Sequence, residues 1–414
     1  VVISLAWRNI WRQPRRTLLS AAAVMLTCGL LIFLPALQIG SYQAMVNASI
    51  GILDGTAQIQ RNEYLDTPAM RTTFTPDETL EHQIKSILPS VSLSKRSNGF
   101  GLISSEERSF GIQVVGVEVD KEPQISSIPK NIKSGRYLGE KSQDSAKPVT
   151  NNEIILGSVL ARNLQVNVGQ NVTLLGTGKD GSLAADSLKV VGIFSSGLKA
   201  LDRQLAQIPI ERFDETFFMR GQIHAWVVID PSKNLLVSYP EKLTEALAQK
   251  GLSLRNWQQM QPALLNAIKL DISSAFAMYI ILILVIVFSL MNSALMSVLE
   301  RTREFGMMMA LGVKAGLLGQ VIWVESLMVM ALGVFSGLMI GAGITAYYQA
   351  VGITFSGAEV VFEQFGLEST IHPLLNWVSL FVGPLVIALC LALAGLYPSL
   401  RIRRLHIVSA MRSV

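Results

Sequence analysis

Few residues in this chain are spaced so that they could do chemistry. The densest arrangement is Leu299–Gly312, LERTREFGMMMALG. Glu300, Arg301, Arg303 and Glu304 crowd its start, and an apolar stretch fills its end. A short amphipathic helix of this pattern lies at a membrane surface and presents one side to a cytoplasmic partner. On the residues alone, an ordinary basic loop accounts for it nearly as well. Catalytic patterns are missing. Gly176–Lys179 (GTGK) lacks the upstream glycine and the following Ser or Thr of a phosphate-cradling loop, so this chain is not expected to hydrolyse ATP. His82, His224, His372 and His406 are scattered, and no H-E-x-x-H sets two imidazoles one helical turn apart for a metal. No G-x-S-x-G elbow offers a nucleophile. The chain is therefore not expected to be an enzyme.

Other constellations lie in apolar surroundings. Gly333, Gly337 and Gly341 fall four residues apart, which sets three glycines on one helix face where a second backbone can approach closely. Chance is the competing explanation, because glycine is common in membrane helices. Glu325 is the one acidic residue well inside an apolar run. Such a carboxylate invites a proton relay. Its place near the start of the run, with no basic partner inside a run, favours a boundary or interhelix hydrogen-bonding role. Cys28 and Cys390 sit in separate runs and read as small buried hydrophobes. Pro35 and Gly383–Pro384 mark kink sites.

Hydropathy sets the elements that must carry these groups. Half of the 414 residues are hydrophobic and 16% are charged, with a mean hydropathy of +0.41. Soluble domains carry about 25% charge, so an ordinary soluble enzyme is excluded, as are a disordered chain and a disulfide scaffold. Four runs reach the roughly 20 residues a bilayer requires: Leu18–Ile39, Ala275–Val298, Leu317–Tyr347 and Trp377–Tyr397. Arg8, Arg12, Arg15 and Arg16 precede the first run, and Arg301, Arg303 and Lys314 separate the second from the third. Arg401, Arg403, Arg404 and Arg412 follow the fourth, while the loop after the third holds only Glu359, Glu363 and Glu368. The positive-inside rule puts both termini and the middle loop in the cytoplasm. Residues 54–270 fall outside, with 24 Lys/Arg against 23 Asp/Glu. The net charge of +5 is thus an orientation signal, and no nucleic-acid partner is expected. A cleaved signal peptide is the alternative for the first run, but that run exceeds the roughly 7–15 apolar residues of such peptides.

The external segment reads as a folded α+β domain. Gly111–Val119, Asn171–Leu175, Leu188–Phe194 and His224–Ile229 show partial strand alternation. Thr75–Leu88, Ser158–Leu164 and Pro240–Lys250 suit helices, and Gly139–Asn152 is a polar linker. Met45, Val46, Ile50 and Leu53 continue the first run at helical spacing, and Met260, Leu264, Leu265 and Ile268 lead into the second. Both runs can extend outward as stalk helices, which would either transmit movement or simply anchor the domain.

Glu300, Arg301, Glu304, Phe305, Gly306, Ala310, Leu311 and Gly312 fit E-R-x-x-E-I-G-x-x-x-A-L-G, with phenylalanine in place of isoleucine. This pattern resembles ABC-transporter permeases of the MacB and lipoprotein-releasing type, the FtsX-like superfamily. Tyr397, Pro398, Ala410 and Arg412 match the family's tail, although Leu405-His406-Ile407 lacks its usual proline. Ala6–Thr17 looks like the family's amphipathic leading helix. Gly116–Leu138, Glu153–Gly169 and Lys189–Pro209 resemble the lipoprotein-releasing branch. The implied fold is an α-helical membrane protein with four transmembrane helices and a large α+β periplasmic domain inserted between the first and second.

The segments expected are a cytoplasmic leading helix (1–17), the first span and stalk (18–53), and the periplasmic domain (54–256), read as two subdomains. A stalk and second span (257–298), a coupling-helix loop (299–316) and a third span (317–347) follow. A periplasmic loop (348–376), a fourth span (377–398) and a cytoplasmic tail (399–414) complete the chain. The resemblance implies a dimeric partner ATPase that binds ATP and Mg and docks on the coupling helix. It also implies a second permease copy, identical or related, surrounding membrane lipids, and location in a bacterial inner membrane. No cofactor or metal is expected in this chain. In lipoprotein-releasing members the substrate is a lipoprotein handed to a periplasmic carrier, its acyl chains lying between the first two spans. Phe33, Leu37, Phe276, Tyr279 and Ile280 are the candidates for that surface, with ordinary lipid-facing packing as the alternative. An exporter subunit of MacB type, or an FtsX-like regulator of a cell-wall hydrolase, is the alternative function.

Overall fold

The computed structural model describes residues 2–106, 108–140, 152–230, 240–354, 357 and 370–402. Most of the linker Gly139–Asn152, the loop residues Glu359, Glu363 and Glu368, and Arg403, Arg404, Leu405, His406, Ile407, Ala410 and Arg412 lie outside them. The chain divides into two compact units.

The helical unit comprises Val1–Gln43, Ala267–Thr354 and Thr370–Val414. Among the described residues, four helices are long and apolar enough to cross a membrane: Pro14–Asp54 (41 residues), Pro262–Glu300 (39), Ala315–Val351 (37) and Trp377–Ile402 (26). All outrun the roughly 20 residues a bilayer core requires, because their polar flanks are helical too. The first ends in a π-helical turn, Ile50–Asp54, and the division between the units falls inside the first two helices. The leading helix covers Val2–Ile10 and stops short of the 1–17 segment read from sequence. Pro14 opens the next helix instead, at a position whose N–H would have no intrahelical partner. Ala6 and Ile10 are buried, while Trp7 and Trp11 stand exposed, edge to face at 6.0 Å. Indoles so placed suit a membrane interface. Asn376 caps the fourth helix, accepting from the Ser379 N–H at 2.8 Å while Ser379 Oγ accepts from the Asn376 N–H at 3.1 Å. Val24, Leu31, Ile286, Ile387 and Leu391 form an apolar centre from the first, second and fourth helices.

The second unit comprises Ala44–Asn266 and Phe355–Ser369 and carries a ten-stranded mixed sheet. Its strands are β1 (Ala57–Arg61), β2 (Ser92–Ser104), β3 (Ser109–Val117), β4 (Ile132–Gly135), β5 (Glu153–Gly157), β6 (Asn171–Thr177), β7 (Leu183–Phe194), β8 (Leu205–Pro209), β9 (Ala225–Ile229) and β10 (Leu252–Asn256). The order is β10-β1-β9-β2-β3-β8-β5-β7-β4, and β6 bridges β2 and β7. The β2–β3–β8–β5–β7–β6 pairings therefore close into a ring. Ile103, Ile112, Val114, Leu156, Leu174 and Ile208 belong to one apolar cluster of these strands, joined by Phe213 from the helix Ile210–Thr216 and by Phe217, which caps its C-terminus. A separate cluster includes Ile59, Leu93, Trp226 and Leu254 with Leu80, Ile84, Leu243 and Leu247 from Glu78–Ile87 and Glu241–Ala248. A third cluster includes Val115, Val117, Ile155, Val191, Phe194 and Leu205, so one continuous sheet serves three apolar clusters.

Strand alternation located β3, β6, β7 and β9, but β2 is the longest strand and escaped it. Its sequence, SLSKRSNGFGLIS, is rich in serine and glycine. It is a strand because β9, β3 and β6 all satisfy its backbone groups.

Candidate functional site

The charged segment of the middle loop forms the helix Thr302–Ala310, and its own sequence sets where it stops. Leu311 is the C-cap and Gly312 follows at φ +94°, where a side chain would be strained. The Gly312 N–H donates to Met309 O at 3.1 Å and the Val313 N–H to Met308 O at 3.0 Å. This pair of bonds satisfies carbonyls that a helix end otherwise leaves open.

Burial divides the helix into two sides. Phe305 and Met309 pack with Val298, Leu318, Ile322 and Ile402, and Gly306 is buried with them. Arg303, Met307, Ala310, Leu311 and Gly312 are exposed, Leu311 at 85%. The exposed side ends in an uncovered aliphatic side chain, Leu311.

The charges form a chain of ion pairs. Arg12 Nη1 lies 3.5 Å from Glu304 Oε2, and Arg301 Nε lies 3.5 Å from the same oxygen. Arg301 Nη1 lies 3.4 Å from Glu325 Oε2, and the Arg301 guanidinium sits 5.3 Å from the Phe305 ring centre. Arg16 Nη1 holds Glu300 at 3.1 Å, with Gln13 Nε2 donating to the same carboxylate at 3.4 Å. The Arg301 side chain is 13% exposed, so its own chain already engages it. Sequence reasoning missed this partner of Glu325, which lies outside any apolar run and 24 residues away.

Gly333, Gly337 and Gly341 are buried against the first long helix. A Cβ at Gly333 would lie 2.6 Å from Val24 Cβ, one at Gly337 2.7 Å from Cys28 Cβ and from Met25 O, and one at Gly341 2.9 Å from Gly29 Cα. The five candidate substrate residues lie on the first two long helices. Phe33 is edge-to-face with Tyr348 at 6.1 Å, and Tyr279 Oη donates to Gln38 Oε1 at 3.2 Å. Phe276 and Ile280 are exposed, and Leu37 is half-buried. Asp271 accepts from Tyr42 Oη at 2.6 Å and from Gln38 Nε2 at 2.9 Å, tying the first two long helices. Among the described residues no group of three His, Cys, Asp or Glu side chains could hold a metal.

A buried polar network marks the α+β unit. Arg96 on β2 pairs with Glu122 and donates to Leu53 O, and Gln207 Nε2 donates to Glu122 at 3.5 Å. Tyr137 Oη donates to Gln207 Oε1 at 3.3 Å. Burial, and then the Glu122 charge, pushes the Tyr137 phenol above its ordinary range.

Residues 17–251 match the MacB-like periplasmic core domain, and residues 276–407 match the FtsX-like permease C-terminal domain. The lipoprotein-releasing system transmembrane protein LolE of Haemophilus influenzae is 23% identical over 364 residues, covering 80% of this chain and 78% of the relative. LolC of Xylella fastidiosa is 24% identical over 254 residues, covering 58% and 57%. Of solved structures, the periplasmic region of MacB from Actinobacillus actinomycetemcomitans aligns with 52% of this chain and 95% of its own, at 16% identity and a TM-score of 0.36. Since the two family matches between them take in the α+β unit and the long helices, the chain belongs to the MacB-like and FtsX-like permeases and is an ABC transporter permease of the MacB, FtsX and LolC/LolE type.

Proposed function

We propose that this permease couples ATP hydrolysis by a separate ATPase to work outside the cytoplasm, and that the work is extraction and release of lipoproteins from the inner membrane. In this reading four helices span the membrane, both termini and the Thr302–Ala310 helix face the cytoplasm, and the α+β unit is periplasmic. An ATPase dimer, holding ATP and Mg, docks on the exposed Arg303, Met307 and Leu311 side of the loop helix. A second permease, identical or related, completes the complex, and a periplasmic carrier receives the lipoprotein. The helices Pro14–Asp54 and Pro262–Glu300 carry movement outward as stalks. Acyl chains lie along the first two spans, where Phe276 and Ile280 are exposed.

The observation that carries the ATPase docking is the two-sided loop helix, anchored by Phe305 and Met309 and uncovered at Leu311. Likeness to the LolE and LolC relatives supports lipoproteins as substrate. The match to the MacB-like core favours a second reading, an exporter subunit for periplasmic peptides or small molecules. Mass spectrometry of material copurified with the chain and its ATPase separates the two. Acylated peptides are expected. Recovery of phospholipids with unacylated peptides would replace the first reading with the second.

A further inference from the structure

The chain Arg12–Glu304–Arg301–Glu325 runs from the turn after the leading helix, through the loop helix and its N-cap, to the third long helix. Its two ends differ in solvent access. Side-chain exposure is 63% at Arg12 and 42% at Glu304, but 13% at Arg301 and 17% at Glu325. An ion pair in water holds little, because solvent and salt screen it. A desolvated pair is strongly missed when one partner is removed, because the other charge stays buried and unpaired. The inner arm is therefore the one able to fix geometry. It meets the loop helix where it matters: Arg301 is the N-cap and also lies over Phe305, the helix's most buried anchor.

Glu325 also lines a cavity of about 70 Å³, together with Arg16, Ser20, Ser293, Ser297 and Ser326. Ser20 and Ser293 hydroxyls stand 3.2 Å apart at its wall. Apolar residues such as Leu290, Met330 and Leu391 make up the larger part of its wall, which keeps the surroundings of the carboxylate poorly solvating. Apolar contact holds the loop helix against the third helix, and the Arg301–Glu325 pair adds a directional tie between the N-cap and that helix.

We propose that Glu325 is a positioning residue, which sets the orientation of the Thr302–Ala310 helix through Arg301 and carries displacement of that helix into the third long helix. The transmission half of this proposal rests on the reading that an ATPase docks on the loop helix. The orientation half does not.

Hydrogen exchange on the full-length chain in nanodiscs tests it. In Glu325→Ala, amides 302–310 should exchange about tenfold faster with the rest of the chain unchanged, a local opening. Arg301→Glu should do the same. The double variant Arg301→Ala/Glu325→Ala should exchange no faster than Arg301→Ala alone, the non-additivity of a shared contact, whereas general loosening of a helix bundle would add. Unchanged protection in Glu325→Ala, or additive increases in the double variant, overturns the proposal. Should Glu325→Ala raise exchange throughout, Glu325→Gln decides, because it keeps shape and hydrogen bonding and removes charge. A local rise supports the pairing and no change overturns it. With the ATPase added, Glu325→Ala should retain nucleotide turnover while protection of the third helix stops responding to ATP. A retained response overturns the transmission half. Failure of the parent chain to recruit an ATPase refutes the functional reading instead, and leaves the exchange result standing.

Discussion

His224 precedes β9 and is fully buried, with Tyr64 at 5.3 Å and Phe213 at 6.5 Å between ring centres. Its Nδ1 accepts the Asn98 N–H at 3.2 Å, which requires a neutral ring. Burial holds its pKa at about 4, against 6.5 in an exposed histidine. The unfolded chain therefore binds the proton first as pH falls. Stability is complete above pH 6.5 and is lost as pH drops toward 4. Between pH 7 and pH 5 the loss should be about 2 kcal/mol. Denaturant unfolding of the full-length chain in detergent, followed by tryptophan fluorescence, measures it, and His224→Gln should flatten the pH dependence. The Arg96–Glu122 pair is the other single-residue dependence. Arg96→Met leaves Glu122 buried without its cation and should cost about 3–5 kcal/mol in the same assay. Neither role is written in local sequence. His224 is one of four scattered histidines, and Arg96 sits in a serine-rich stretch next to another cation, Lys95.

Among the helices, the third meets the first across glycines. Gly337 faces Cys28 and the Met25 carbonyl so closely that even a methyl group would sit 2.7 Å from both. Backbone atoms cannot rotate away as side chains do, so the helices themselves must separate. Gly337→Leu should cost at least about 1–3 kcal/mol, the usual range for overpacking. A lower melting temperature in detergent checks this, and an unchanged one removes the glycines from the interface. Gly343, with open space around its Cα, is the control position on the same helix. The four-residue spacing was legible because a helix repeats in 3.6 residues. Which helix those glycines meet was not, since spacing specifies a face and not its neighbour.

For the molecule as a whole, the proposed function puts the ATPase at the exposed end of the loop helix. Leu311 is 85% exposed, while Arg301 is held inside. Leu311→Asp should therefore weaken ATPase association by about 1–3 kcal/mol, the range of a truncated interface anchor, without lowering the melting temperature of the isolated permease. Pull-down of the ATPase by the nanodisc-embedded chain reads the first effect. Undiminished association would move the docking surface away from this helix end. Charge reversal at Arg301 is the less specific experiment, because it disturbs the chain's own Glu304 and Glu325 contacts before it reaches a partner.

Sequence alone determined the four apolar helices, the glycine face and the family, because each depends on composition or on spacing within one element. Hydropathy over a run and a four-residue spacing are local properties. Tertiary structure decided the rest: the strand formed by Ser92–Ser104, the ring of six strands, the partner of Glu325 and the burial of Arg301. Each depends on groups far apart in the chain, such as Arg12 and Glu304, brought together only when the helices and sheets have found their neighbours.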